Sequence, residues 1–165
     1  MKNCKVQVTE NPPNISNKNW FPIEMNKRTP FFYLIKWDLP GTMIKFGYKL
    51  STTAFATSYG KLHHLKPTEV YVWPIKLIAS PVDKYCGVTS TLRTIHFRDF
   101  VFHAEQQIHK KLNSDDRINR ISKSREYYQT MSVTYSLEII RNNLININDD
   151  FFEFIKLKHG KNKYF

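Results

Sequence analysis

Cysteine is scarce in this chain. Of 165 residues only Cys4 and Cys86 carry a thiol, and neither belongs to a Cys-x-x-Cys pair. A zinc ribbon and a disulfide framework are thereby excluded. The thiols read as reduced, buried or incidental, which suits a reducing compartment. Long apolar runs are missing as well: nothing approaches the roughly 20 residues of a membrane span. The polar start from Met1 to Pro13 reads as no signal peptide, and no basic amphipathic helix offers a large apolar face to a lipid surface. The expectation is a soluble protein without a membrane partner. Acid is in short supply, with 14 Asp and Glu against 25 Lys and Arg. The resulting +11 charge and pI near 9.7 ask for an anionic partner. Nucleic acid and acidic membrane both qualify, and coding from an AT-rich genome gives a similar Lys- and Asn-rich bias. No zinc finger, helix-turn-helix or RNA-recognition signature is present, so no base-reading motif is visible. Proline is absent beyond Pro81, which predicts strands and turns in the front half and mostly helix behind.

What is present is enough apolar material for a core, with 41% hydrophobic and 15% aromatic residues, in a chain of single-domain length. Residues 1–29 lack periodicity and read as an extended arm. Phe31 to Trp37 is a dense aromatic and aliphatic strand. Asp38-Leu39-Pro40-Gly41 is a turn, and Met43 to Tyr48 a second strand that closes a hairpin. Ser51 caps a helix from Thr52 to about Leu65, ended by Pro67. Val70 to Ile78 is a third strand, in which Pro74 calls for an edge position or a bulge. Residues 79–96 read as an insertion with a short strand at Thr91 to Phe97. Asp99 caps a helix from Phe100 to Asn113, with Val101, Ala104, Ile108 and Leu112 on its core face. Val133, Leu137, Ile140 and Leu144 make another amphipathic helix, and residues 149–165 form a basic C-terminal segment. The order strand, strand, helix, strand, helix, helix predicts an α+β fold, a small three-stranded antiparallel sheet flanked by helices. The domain runs over residues 30–148.

Chemistry concentrates at Glu105 and His109, one helical turn apart at the edge of an apolar stripe. A carboxylate there beside an imidazole is either a hard-metal or acid–base site or an ordinary i,i+4 pair. The hairpin adds Tyr33 in its first strand and Gly47-Tyr48 at the end of its second. In this setting the chain resembles the GIY-YIG nuclease superfamily. Phe31-Phe32-Tyr33 stands where the first tripeptide belongs, and Lys45-Phe46-Gly47 stands for the second. The closer likeness is to the divergent branch common in phages and viruses. There the second motif often reads Lys-Ile-Gly, and the helix carries Glu-x-x-aliphatic-His. Here the helix reads Glu105-Gln106-Gln107-Ile108-His109. The branch's downstream Glu-Trp-Phe is matched by Glu126-Tyr127-Tyr128. The resemblance covers Phe31 to Leu144.

The resemblance implies phosphodiester hydrolysis with Mg2+ or Mn2+ held by Glu105, and catalytic roles for Tyr33, Lys45, Glu105 and His109. Tyr33 would help activate water once its pKa falls. Lys45 would either assist Tyr33 or hold a phosphate. It also implies that Tyr33, Lys45 and Glu105 meet in one cleft; their placement on different faces would remove the family assignment. One departure stands out. The family's first-helix Arg is missing, and Phe55 or a neighbour occupies its place. Lys61, His63 and His64 are either substitutes or a solvated helix end. The family's late Asn is matched by Asn142 or Asn143 only in composition. DNA contact is expected from Lys61, Lys110, Lys111, Arg117, Arg120, Lys123, Arg125, Lys156 and Lys158. Each neutralised phosphate adds roughly 0.9 to the salt-dependence slope. Two readings follow: a metal-dependent DNA endonuclease, or an inactive DNA-binding or structural protein on the same fold, such as a virion or packaging component. Residence in a host cytoplasm or nucleus, or in a virion, goes with either. Homo-oligomerisation or assembly into a larger particle stays open.

Overall fold

The structure is a computed structural model and describes residues 4–10, 29–39, 41–51, 67–79, 90–121 and 126–159. Its centre is the hairpin of β2 (Phe31–Leu39) and β3 (Gly41–Lys49), paired from Phe31↔Lys49 to Leu39↔Gly41. Gly41 takes φ 81°, a left-handed conformation that costs glycine little and lets the chain reverse. β4 (Glu69–Ala79) pairs with β2. The class is α+β, as expected, but the sheet is larger than three strands. Among the described residues it has six, all antiparallel, in the order β1-β4-β2-β3-β6-β5.

The three additional strands come from stretches where no strand was expected, although Cys4-Lys5-Val6-Gln7-Val8 does alternate apolar and polar residues. β1 (Cys4–Val8) lies within the expected arm and pairs with Ile75 to Ala79 of β4. β5 (Ile118–Arg120) comes from the basic stretch after the Glu105 helix. β6 (Tyr127–Thr130) pairs with both β5 and residues 42–45 of β3. Pro74 is tolerated inside β4 because of where its missing donor points. Ile75 donates to Pro30 on the β2 side, so the nitrogen of Pro74 faces the β1 side. There the ladder ends at Val8↔Ile75, and Thr9 reaches across to donate to the Pro74 carbonyl.

Among the described residues three helices follow: α1 (Ser90–Ser114), α2 (Val133–Leu144) and α3 (Ile147–His159). The short strand expected at Thr91 to Phe97 is helical, and Asp99 lies inside α1 instead of capping it. Tertiary packing overrides β propensity here: Phe97 and Phe100 meet Phe151 of α3 at ring separations of 6.4 and 5.1 Å. The helix expected at residues 52–65 lies outside the described residues. No helix among the described residues is long and apolar enough to cross a membrane.

Both sheet faces are buried, which explains why β2 reads as an unbroken apolar run. Phe32, Leu34, Ile44, Phe46, Tyr71 and Trp73 join the core shared with α1, α2 and α3. On the opposite face Phe31, Tyr33, Ile35, Trp37, Val70 and Val72 form a second cluster, with Met43 and Tyr127 packed against it.

Candidate functional site

Glu105 is 3% exposed and His109 is 6% exposed. They lie on α1 beside the stripe of Val101, Ile108 and Leu112 that packs into the core, on the flank that opens to a cleft. Burying a carboxylate requires hydrogen-bond partners, and Glu105 has them. Its Oε1 lies 2.9 Å from His109 Nε2, and its Oε2 accepts from Gln106 Nε2 at 2.6 Å. The other imidazole nitrogen, Nδ1, meets the Tyr128 hydroxyl at 2.5 Å. A neutral imidazole satisfies every member in one arrangement: Tyr128 O–H donates to Nδ1, and Nε2–H donates to Glu105. Burial pushes the Tyr128 phenol up to about 12, with Arg120 pulling the other way and Glu105 adding to the rise. It therefore keeps the proton it donates. The His109 ring is clamped edge-on by Phe46 at 5.3 Å and stacked with Tyr128 at 5.7 Å. Sheet strands β3 and β6 thus fix the helix carboxylate in orientation, the role that outer partners play around metal ligands and catalytic acids.

This pair lines an open cleft of about 720 Å³. β3 contributes Tyr48 and Lys49; α1 contributes Phe102, Glu105, Gln106, His109, Lys110 and Asn113. Arg120 of β5 and Glu126, just before β6, close the other side. Three cations therefore border a site that holds two carboxylates. Asn113, which lines the cleft, also acts to lower the Tyr128 phenol's pKa. Tyr48 is held above its ordinary pKa by burial first, then by the charges of Glu105 and Glu126.

Tyr33 and Lys45 do not line this cleft. Strand alternation puts them on the face away from α1, because Tyr33 pairs Gly47 and Lys45 pairs Ile35. The Lys45 ammonium lies 5.1 Å from the Tyr127 ring centroid and 6.0 Å from that of Tyr33. Its carboxylate partner is Glu126, at 3.4 Å. Glu126 is thus the residue shared by the two sides: it pairs Lys45 behind the sheet and lines the cleft in front. Burial drives the Tyr33 phenol far above its ordinary value, and Glu126, Tyr127 and Glu105 add to the rise. The expected single cleft containing all three residues is replaced by two groups joined through Glu126 at the β3 edge.

Of the expected DNA contacts, Lys110 and Arg120 line the cleft. Lys111 faces a different groove, between α1 and the α2–α3 pair. Arg117 donates to Asp115 through Nε at 3.0 Å and Nη2 at 2.8 Å, and its guanidinium stacks on Tyr135 at 4.3 Å. Lys156 and Lys158 lie in α3 with side chains outside the described ones. Lys61, Lys123, Arg125 and the stretch around Phe55, His63 and His64 are outside the described residues. Asn143 lines the same second groove as Lys111 and donates to the Ile139 carbonyl at 2.8 Å, a helical tie.

For a divalent metal the available donors are the Glu105 and Glu126 carboxylates. Among the described residues no group of three or more His, Cys, Asp or Glu side chains is placed to hold an ion. Mg2+ is commonly held by one or two carboxylates, with water and substrate phosphate completing its shell, so this donor set fits such an ion. The contributions of Glu126 and Tyr128 were signalled by the Glu126-Tyr127-Tyr128 motif. Nothing in the sequence pattern singled out Lys49, Phe102 or Asn113. Compared with known proteins, the chain matches no family model, no curated protein and no solved structure.

Proposed function

We propose that this protein is a divalent-metal-dependent DNA endonuclease working at the Glu105 cleft, without the shared Tyr33–Lys45–Glu105 site that the GIY-YIG resemblance required. The observation that carries this reading is the oriented, buried Glu105 carboxylate in a cleft bordered by Lys49, Lys110 and Arg120. Glu105 would hold Mg2+ or Mn2+, with Glu126 available as a second carboxylate. The ion would supply charge stabilisation to the phosphate and the leaving oxygen. His109, held by Tyr128, keeps Glu105 in one orientation. Arg120 supplies a planar guanidinium suited to bidentate phosphate contact, which the uncharged stretch around Phe55 cannot. Lys49 and Lys110 add attraction for the backbone. Tyr33, its phenol pushed up by burial, stays protonated at neutral pH and, lying behind the sheet, is not the base at this cleft.

A second reading, an inactive DNA-binding or structural protein such as a virion or packaging component, is favoured by one observation. Tyr33 and Lys45 lie behind the sheet, away from the cleft. Nicking of plasmid and branched DNA with Mg2+ or Mn2+ separates the two. The endonuclease reading expects metal-dependent nicking that Glu105→Gln lowers by at least about 100-fold, with DNA binding in EDTA retained. Salt-sensitive binding without any nicking at high protein concentration would leave only the second reading. Absence of binding would remove both.

A further inference from the structure

The cleft carries a feature that phosphate and metal chemistry do not use. Phe102 is 50% exposed, yet it lies on α1 one turn before Glu105 and lines the same cleft. Its ring meets Tyr48 edge-to-face, with centroids 6.0 Å apart and planes at 61°. The other strongly exposed apolar side chains, Met131, Ile145 and Leu157, are not among the residues lining this cleft. An exposed phenylalanine ring braced by the half-buried Tyr48, beside Lys49, Lys110 and Arg120, combines the two elements that bind unpaired nucleic acid. One is a π-face on which any base can stack, and the other is cationic attraction for the phosphate next to it. A base inside a duplex is already stacked on both sides and offers no free face to such a ring.

We propose that the Phe102–Tyr48 pair is a stacking platform for an unpaired base, so that the cleft takes single-stranded or branched DNA in preference to intact duplex. The proposal rests on the nucleic-acid reading of this cleft but not on catalysis. A base on the platform sets its flanking phosphate one helical turn along α1, toward Glu105 and Arg120. Sequence preference is weak in such a site, because stacking tolerates every base.

The test uses the full chain in EDTA, with a fluorescein-labelled oligothymidylate and a blunt hairpin duplex as anisotropy probes. The oligothymidylate is expected to bind more tightly than the hairpin. Phe102→Ala is expected to weaken its binding roughly ten-fold, in line with the loss of one stacked base, and to leave hairpin binding unchanged. Phe102→Leu, which keeps an apolar side chain but removes the ring, is expected to behave as Phe102→Ala does. Phe102→Trp is expected to bind and to lose indole fluorescence on adding the oligomer, relative to the parent protein. Equal affinity of parent and Phe102→Ala for the oligomer would overturn the proposal, as would a Phe102→Trp signal that does not respond. Thymidine monophosphate that competes as well as the oligomer would replace a nucleic-acid ligand with a free nucleotide and overturn it too. If nicking is absent but the Phe102 effect is present, the platform stands and the endonuclease reading fails. If Glu105-dependent nicking is present without a Phe102 effect, the reverse holds.

Discussion

At the residue scale the contact between Tyr33 and Gly47 leaves no room for a larger side chain. They face each other across the hairpin, and a Cβ built on Gly47 would lie 2.7 Å from the Tyr33 hydroxyl oxygen and 3.0 Å from Cζ. Glycine is required here by close approach, not by backbone angle. Gly47→Ala must displace a phenol that is 2% exposed, and overpacking of this kind costs about 1–3 kcal/mol. Denaturant unfolding should show that loss, and Tyr33→Phe added to Gly47→Ala should recover part of it. Strictly additive losses in that double-mutant cycle would mean that the two side chains do not collide. Tyr33 and Gly47 were legible as a motif pair in the sequence. Their reason for co-occurring, a tyrosine lying over a glycine, is a packing fact.

At the scale of elements, the turn from α1 into β5 decides whether Arg120 reaches the cleft. Asp115 organises it by accepting from the Arg117 backbone N–H at 2.9 Å and from the guanidinium. These hydrogen bonds hold the Asp115 carboxyl at about 2, below its ordinary 3.8. A depressed folded-state pKa gives stability that is present above the unfolded value and lost as pH falls through the folded one. The Asp115 contribution is therefore complete above about pH 4 and gone near pH 2. Melting temperatures of the parent and Asp115→Asn should differ at neutral pH and converge across that window. Curves that run parallel down to pH 2 would show that the turn does not depend on this carboxylate. α1 itself was readable from its 3.6-residue apolar stripe. β5 and β6 were not, because strands of three and four residues are too short for period-two patterning and exist by pairing, β6 onto β3 and β5 onto β6.

At the scale of the whole molecule, the N-terminal strand joins the sheet edge to the last helices. Val6 is buried, pairs Leu77 and donates its N–H to Asn148 of α3 at 2.9 Å. Glu10 takes Arg141 of α2 through Nε at 2.9 and 3.0 Å. Deleting residues 1–10 should lower the melting temperature and bare the β4 edge from Ile75 to Ala79. An unpaired edge recruits other strands, so the truncated chain should show concentration-dependent association by light scattering. An unchanged melting temperature in a monodisperse truncation would show that β1 is dispensable.

Period and composition were enough to give the hairpin, β4, the Glu105 stripe and the net charge of +11, because each is a local pattern or a sum over residues. Strand alternation also contained the separation of Tyr33 and Lys45 from Glu105. It became visible only once α1 was seen to pack on the Phe46 face, a choice between two apolar faces that the hairpin's own sequence leaves equal. The tertiary structure likewise decided the sheet's six strands, the Tyr128–His109–Glu105 chain and the meeting of Arg120, Glu126 and Phe102. These depend on contacts between residues far apart in the chain, and such contacts leave no periodic trace.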